Sequence, residues 1–202
     1  MIKGRKQGKG SPRRNGLSLV IGIFSLVGLS CSLFDPREAE DPIISSCISL
    51  PPTNAGLVLQ NLQCAVEDKH VANYKACFDS SLVFIPSSDA IVLYPGVLNN
   101  WTYSNEQSYF SNLVSRSVPN GFSSLVLTRL DSIISADSVT YTIRYSLIFE
   151  HTELGFPITA HGNLQFTLGT NNLGSWMIHR WSDSRTNDSL ITWSSFKGRF
   201  SN

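Results

Sequence analysis

Four histidines (His70, His151, His161, His179) and four cysteines (Cys31, Cys47, Cys64, Cys77) are the side chains best able to hold a metal or attack a substrate. A zinc site needs ligands converging at about 2.0–2.3 Å, which sequences usually supply as short-spaced pairs of His and Cys. The four histidines lack such paired spacing, and no G-x-S-x-G elbow, P-loop or dinucleotide fingerprint occurs. No metal and no cofactor are expected. Catalysis by a carboxylate needs an acid of shifted pKa in an apolar setting. Asp183 ends an apolar stretch, where it reads as a turn cap or as the partner of Arg180 or Arg185. His161 shares a polar row with Thr159, Asn163 and Gln165, and His179 alternates away from Trp176 and Ile178. Both read as structural. No catalytic residue is assigned. Tyr74, Tyr109, Tyr141, Tyr145 and Trp176 would line a ligand cavity if there is one; the plainer reading makes them core.

The elements that must position these residues follow from periodicity. Val58, Leu62, Ala65 and Val66 recur at helical spacing after Pro51-Pro52, so residues 54–67 form a first helix with Thr53 or Asn54 as its cap. Residues 70–78 form a short second helix, and Leu82 to Ile85 a short strand ended by Pro86. Residues 86–104 read as loop with some local structure. Tyr109, Phe110, Leu113 and Val114 lie on one side of a third helix over 106–115. Beyond Gly121 the period changes to two. Residues 122–130 alternate loosely, 139–149 and 158–168 alternate cleanly, and 175–183 form the last long strand. Pairing of Ser146 near His161 would put both apolar rows on one face, as in an antiparallel sheet with one dry side. Trp193, Phe196 and Phe200, with Lys197 and Arg199, read as a final strand or a closing arm.

Charge divides the chain. Residues 1–30 carry six basic side chains and no acid, whereas residues 31–202 hold the other 10 basic and all 15 acidic ones, a formal −5. An acidic body argues against nucleic acid as a partner. The 13-residue apolar run Leu17–Leu29 is short of the roughly 20 residues that span a bilayer. It ends at Gly28-Leu29-Ser30, just before Cys31, and residues 1–30 resemble a bacterial lipoprotein signal peptide. The resemblance implies cleavage after residue 30, a lipid on Cys31, attachment to the cell envelope through that lipid and, with Ser32 rather than Asp next, the outer membrane. The uncleaved anchor and the lipid-free secreted protein are the competing readings. Residues 31–52, with Pro36, Pro42, Pro51, Pro52 and four acids, read as a flexible tether. An arm packed along the domain through Ile43, Ile44, Ile48 and Leu50 is the alternative. Residues 53–202 are the folded domain. With Cys31 lipidated, Cys47, Cys64 and Cys77 are an odd set, so at most one intramolecular disulfide can form. Cys64 with Cys77, across the first two helices, is the pairing expected first; buried free thiols remain open.

Two helices, a strand, a helix and then four long strands is an order that resembles the SnoaL-like, or nuclear-transport-factor-like, cystatin-type α+β fold. The resemblance is carried by Leu59–Ala65 before Tyr74 and Cys77-Phe78, and by Gly174, Trp176, Ile178 and Asp183 near the end. It implies a cone: a strongly bent antiparallel sheet packed on about three N-terminal helices. Enzymes with this cone, such as ketosteroid isomerase and the polyketide cyclases, place an Asp and a Tyr or His inside it. No motif carries those residues onto this chain. The expectation is therefore an envelope lipoprotein whose domain binds a small apolar ligand or a protein partner without catalysis. An isomerase or cyclase with a buried acid, and a structural subunit of an envelope assembly, are the alternatives.

Overall fold

The structure is a computed structural model that describes Cys47, residues 49–186 and residues 191–202. The basic leader, the apolar run, Cys31 and the tether up to residue 46 lie outside the described residues.

Chain chemistry sets the helix starts. The Asn54 side chain accepts the Leu57 amide at 3.0 Å and opens α1 (Ala55–Glu67). His70 Nδ1 accepts the Asn73 amide at 3.1 Å and opens α2 (Val71–Ala76). Strand β1 (Phe78–Ile85) begins four residues earlier than periodicity suggested, because Phe78 is buried and Asp79 to Ser81 hide the alternation. The expected loop contains the short helix α3 (Ser88–Leu93). A capping box of Thr102 and Asn105 starts α4 (Tyr103–Ser115).

Four long strands follow: β2 (Ser123–Ile134), β3 (Ser138–Phe149), β4 (Thr159–Thr170) and β5 (Trp176–Ser184). The sheet order is β1-β5-β4-β3-β2. Ser146 does face His161 across the β3–β4 ladder. All neighbours are antiparallel except β1, which runs parallel to β5, so the sheet has five strands and is mixed. The β2–β3 register shifts between Arg129 and Asp131, and the β4–β5 register between Thr167 and Leu168. An extra residue at such points bends a strand and tightens its twist. The bent sheet turns Ile143, Tyr145, Leu147, Leu164, Phe166, Ile178 and Trp181 inward, where they form one core with Val58, Leu62 and Val66 of α1 and Phe110 and Leu113 of α4.

Three expectations are corrected. The C-terminal segment is neither strand nor arm but a helix, α5 (Trp193–Arg199). Trp193, Phe196, Lys197 and Phe200 stand at helical spacing and are all buried. The tether also ends sooner than residue 52. Cys47 is disulfide-bonded to Cys64 on α1, both backbone polar groups of Leu50 bond the Asn61 side chain, and the Trp176 amide donates to the Pro52 carbonyl at 2.9 Å. The Cys64–Cys77 pairing is thus replaced by Cys47–Cys64. Cys77 stays a free, buried thiol whose pKa is pushed up to about 12 by burial.

Candidate functional site

The polar groups of the interior gather where α5 enters the cone. Glu106 lies in the first turn of α4, three, four and seven residues before Tyr109, Phe110 and Leu113, so it shares their inward side. Its carboxylate accepts from the Tyr74 hydroxyl at 2.6 Å, from Trp101 Nε1 at 2.8 Å and from Lys197 Nζ. Lys197 comes from α5 and is wholly buried. Its ammonium stands 3.6 Å from the centre of the Trp181 ring and 4.3 Å from that of Phe84, with Tyr109 and Trp101 beyond. Ring faces attract a desolvated cation, and here they complete a cage that Glu106 closes. Loss of water still dominates: it pulls the Lys197 pKa down to about 8, against the opposing pull of Glu106 and Asp183.

The second cluster belongs to Asp183 on β5. One carboxylate oxygen accepts from the Tyr145 hydroxyl at 2.9 Å; the other accepts from the Ser194 amide at 2.7 Å and the Ser194 hydroxyl at 2.5 Å. The Tyr145 oxygen in turn accepts the Trp193 amide at 2.7 Å. Asp183 therefore does the work of an N-cap for α5 from another element, since Thr192 makes no side-chain cap bond. Burial raises the Asp183 pKa to about 6, even though these hydrogen bonds hold it down. Gly162 makes the geometry feasible. A Cβ there would lie 2.6 Å from both the Tyr145 hydroxyl and the Ser184 carbonyl. Ser87 ties the same helix start to the end of β1, through its amide to Ser194 Oγ at 2.9 Å and its hydroxyl to Thr192 at 2.8 Å.

The arrangement brings together three of the five anticipated lining residues, around the N-terminal part of α5. Tyr74 stacks on Phe110 at 3.7 Å and bonds Glu106, Tyr109 accepts from Trp193 Nε1 at 2.9 Å, and Tyr145 bridges Asp183 to α5. All three are core, and burial raises their pKa values well above 10. Tyr141 and Trp176 stand apart from the cluster, Tyr141 beneath Arg129 at 5.2 Å and Trp176 half-buried at the end of the sheet. Among the described residues, the hydrogen-bond partners of Asp183 are Tyr145 and Ser194. His161 stays on the half-exposed outer row, and His179 lies 3.6 Å from Asp79. Among the described residues no group of three His, Cys, Asp or Glu side chains could hold a metal ion.

Sequence reasoning missed Glu106, Lys197 and Ser194. The signal for Glu106 was its place on the apolar side of α4. The signal for Lys197 was its position four residues after Trp193, beside Phe196, within a helical rather than an alternating pattern.

No protein-family model matches the chain, and no curated protein does. Solved structures do. A candidate aromatic ring hydroxylase from Novosphingobium aromaticivorans superposes with a TM-score of 0.53 at 13% identity, over 68% of this chain and 91% of that one. A conserved protein from Planctomyces limnophilus gives 0.51 at 11% identity, over 63% and 89%. A ketosteroid isomerase-like protein from Erwinia carotovora atroseptica gives 0.50 at 12%, over 69% and 99%. At such identities the likeness shows the fold alone. That fold is the α+β cone of the nuclear-transport-factor-like, cystatin-type class.

Proposed function

We propose that this chain is a lipid-anchored protein of a bacterial cell envelope, of the outer membrane in particular, whose cone-shaped domain binds a protein partner and catalyses no reaction. One observation carries the non-catalytic reading. On the inner side of the sheet, where enzymes of this fold class hold a substrate, the chain's own α5 is packed, with Lys197 ion-paired to Glu106 and the Asp183 oxygens bonded by Tyr145 and Ser194. A small apolar ligand in the cone would have to displace that helix and strand two buried charges, which favours the outer surface and a macromolecular partner. The envelope location draws on the apolar run that ends at Cys31, and the Cys47–Cys64 disulfide supports export, since such bonds persist in oxidising compartments.

An isomerase-type reading has one specific support: Asp183 bonded to Tyr145, with its pKa raised to about 6, is an acid suited to proton transfer. It requires α5 to leave the cone. The test has two arms. Cys31→Ser should abolish fatty-acid labelling and release the chain from membranes; equal membrane association would end the lipoprotein reading. Isolated wild type should show no turnover of Δ5-ketosteroids; a rate abolished by Asp183→Asn would replace the binding module with an enzyme.

A further inference from the structure

The outer face of the sheet carries the side chains that the core does not use, and the strand registers lay six of them out as a grid. Thr128 of β2, Arg144 of β3 and Asn163 of β4 stand in one row; Val126, Ser146 and His161 stand in the next. Directly opposed Cβ atoms in such rows lie about 4.5–5.5 Å apart, so Arg144 and His161 are diagonal neighbours. A groove of about 280 Å³ opens over them, and its lining includes Val126, Thr128, Arg144, Ser146, His161 and Thr186. Among the described residues, neither the Arg144 guanidinium nor the His161 ring has a hydrogen-bond or ion-pair partner. Other polar groups of this face are matched. The Thr140 and Thr167 hydroxyls bond each other at 3.0 Å. Asp131 stands opposite Thr142, the outer position next to Arg144 on β3, but its carboxylate accepts the Ser132 amide at 2.7 Å.

We infer that this groove holds the protein partner by an acidic segment, with a carboxylate seated between Arg144 and His161. The inference rests on the proposed reading of the domain as a module for a protein partner, and it gives that partner a chemistry and a place. Charge is the first argument. Residues 31–202 carry a formal −5, so an unpaired arginine beside a free imidazole departs from the sign of the body around it. A cleft lined by one sign of charge concentrates the opposite sign. The donor set is the second. A guanidinium fork matches the two oxygens of a carboxylate, and the His161 ring and the Ser146 and Thr128 hydroxyls stand one cross-strand spacing away as further donors. The apolar side chains decide between a protein segment and a free anion. Val126 lines the groove and is 53% exposed, and Ile148 follows Ser146 on the same face. Arginine beside apolar area is what the buried centre of a protein interface uses, whereas a free anion would leave that area wet.

The full chain, isolated in detergent, is titrated at low salt with a fluorescein-labelled hexaglutamate peptide and read by anisotropy. Wild type should bind, and Arg144→Gln and His161→Asn should each weaken binding by about fivefold, the upper worth of one exposed ion pair. Arg180→Gln, on the same face but outside the groove, should change nothing. No binding, or an equal loss in Arg180→Gln, overturns the inference. Inorganic phosphate that displaces the peptide at equal concentration also overturns it, because the site then takes a free anion. A second arm separates the groove from the partner reading itself. In cells that make the chain, a photo-crosslinking amino acid at Val126 should give an adduct that Arg144→Glu removes. An adduct that survives Arg144→Glu, or one with twice the mass of the chain, overturns the inference; the latter means that a second copy covers this face. An adduct from the exposed Val92 of α3 with none from Val126 overturns the groove and leaves the partner reading standing. Adducts from neither position remove both. The substituted side chains lie outside the core, and unchanged thermal melts confirm that each variant is folded.

Discussion

At the scale of single residues, the interior is defined by a buried ion pair that neither partner can afford to lose. Lys197→Met leaves Glu106 charged and short of a partner, and Glu106→Gln leaves Lys197 charged against rings alone. Breaking a buried pair from one side costs about 3–5 kcal/mol, whereas replacing both partners is often near neutral. The expected outcome in urea denaturation is two severely weakened single variants and a Glu106→Gln/Lys197→Met double variant closer to wild type. Additive losses would mean that the two charges do not interact. Asp183 gives a pH signature. Its folded pKa of about 6 exceeds the ordinary 3.8, so between these values the folded state binds more protons than the unfolded one. This group therefore makes the fold more stable as pH falls from about 7 to 4, by up to roughly 3 kcal/mol. Asp183→Asn should lack that increment. Denaturant midpoints measured across this range in both proteins, compared as slopes, check the sign.

At the scale of elements, α5 is held at its N-terminus by strands far away in sequence. Gly162 on β4 leaves room for Tyr145 on β3 to reach Asp183 on β5, and that acid caps the helix. Gly162→Ala should cost about 1–3 kcal/mol as overpacking and loosen the C-terminal helix first. Arg144→Asp, on the exposed side of β3, should cost little. Hydrogen exchange at Trp193 and Ser194, with thermal melts of both variants, reads the difference. The strands were legible because alternation survives wherever one face is dry: Val139 to Phe149 and Ala160 to Leu168 occupy the inner positions that period two requires. The C-terminal segment misled for a physical reason. Only seven residues long, it holds few apolar positions to fix a period, and its one charged inward residue, Lys197, breaks the expected apolar pattern. β1 was shortened for the same reason, since Ser80 and Ser81 are exposed before the pattern begins.

At the scale of the whole molecule, the Cys47–Cys64 bond fastens the entering chain to α1. A closed loop of 17 residues constrains the unfolded chain by about 3 kcal/mol. Cys47→Ser and Cys64→Ser should each lower stability by about that much, and reduction of wild type should match them. Peptide mapping without reductant should recover 47 linked to 64, while Cys77, buried and titrating only near 12, should resist alkylation until the domain unfolds. A linked 64–77 peptide would contradict the fold of the entering segment.

Residue types along the chain determined the first helices, the long strands and the dry face of the sheet, because helix caps and periods of 3.6 and two are local properties. They determined the fold class for the same reason: helices followed by long alternating strands have few ways to bury their apolar sides. What fills the cone was decided only by tertiary structure. Glu106 and Lys197 are 91 residues apart, and Tyr145 and Asp183 are 38 apart. Whether a charged side chain is solvated or buried depends on what the closed sheet brings opposite it, and no local pattern encodes that meeting. The choice of Cys47 over Cys77 as the partner of Cys64 is of the same kind, since it depends on where the segment before Pro51 packs once the domain has formed.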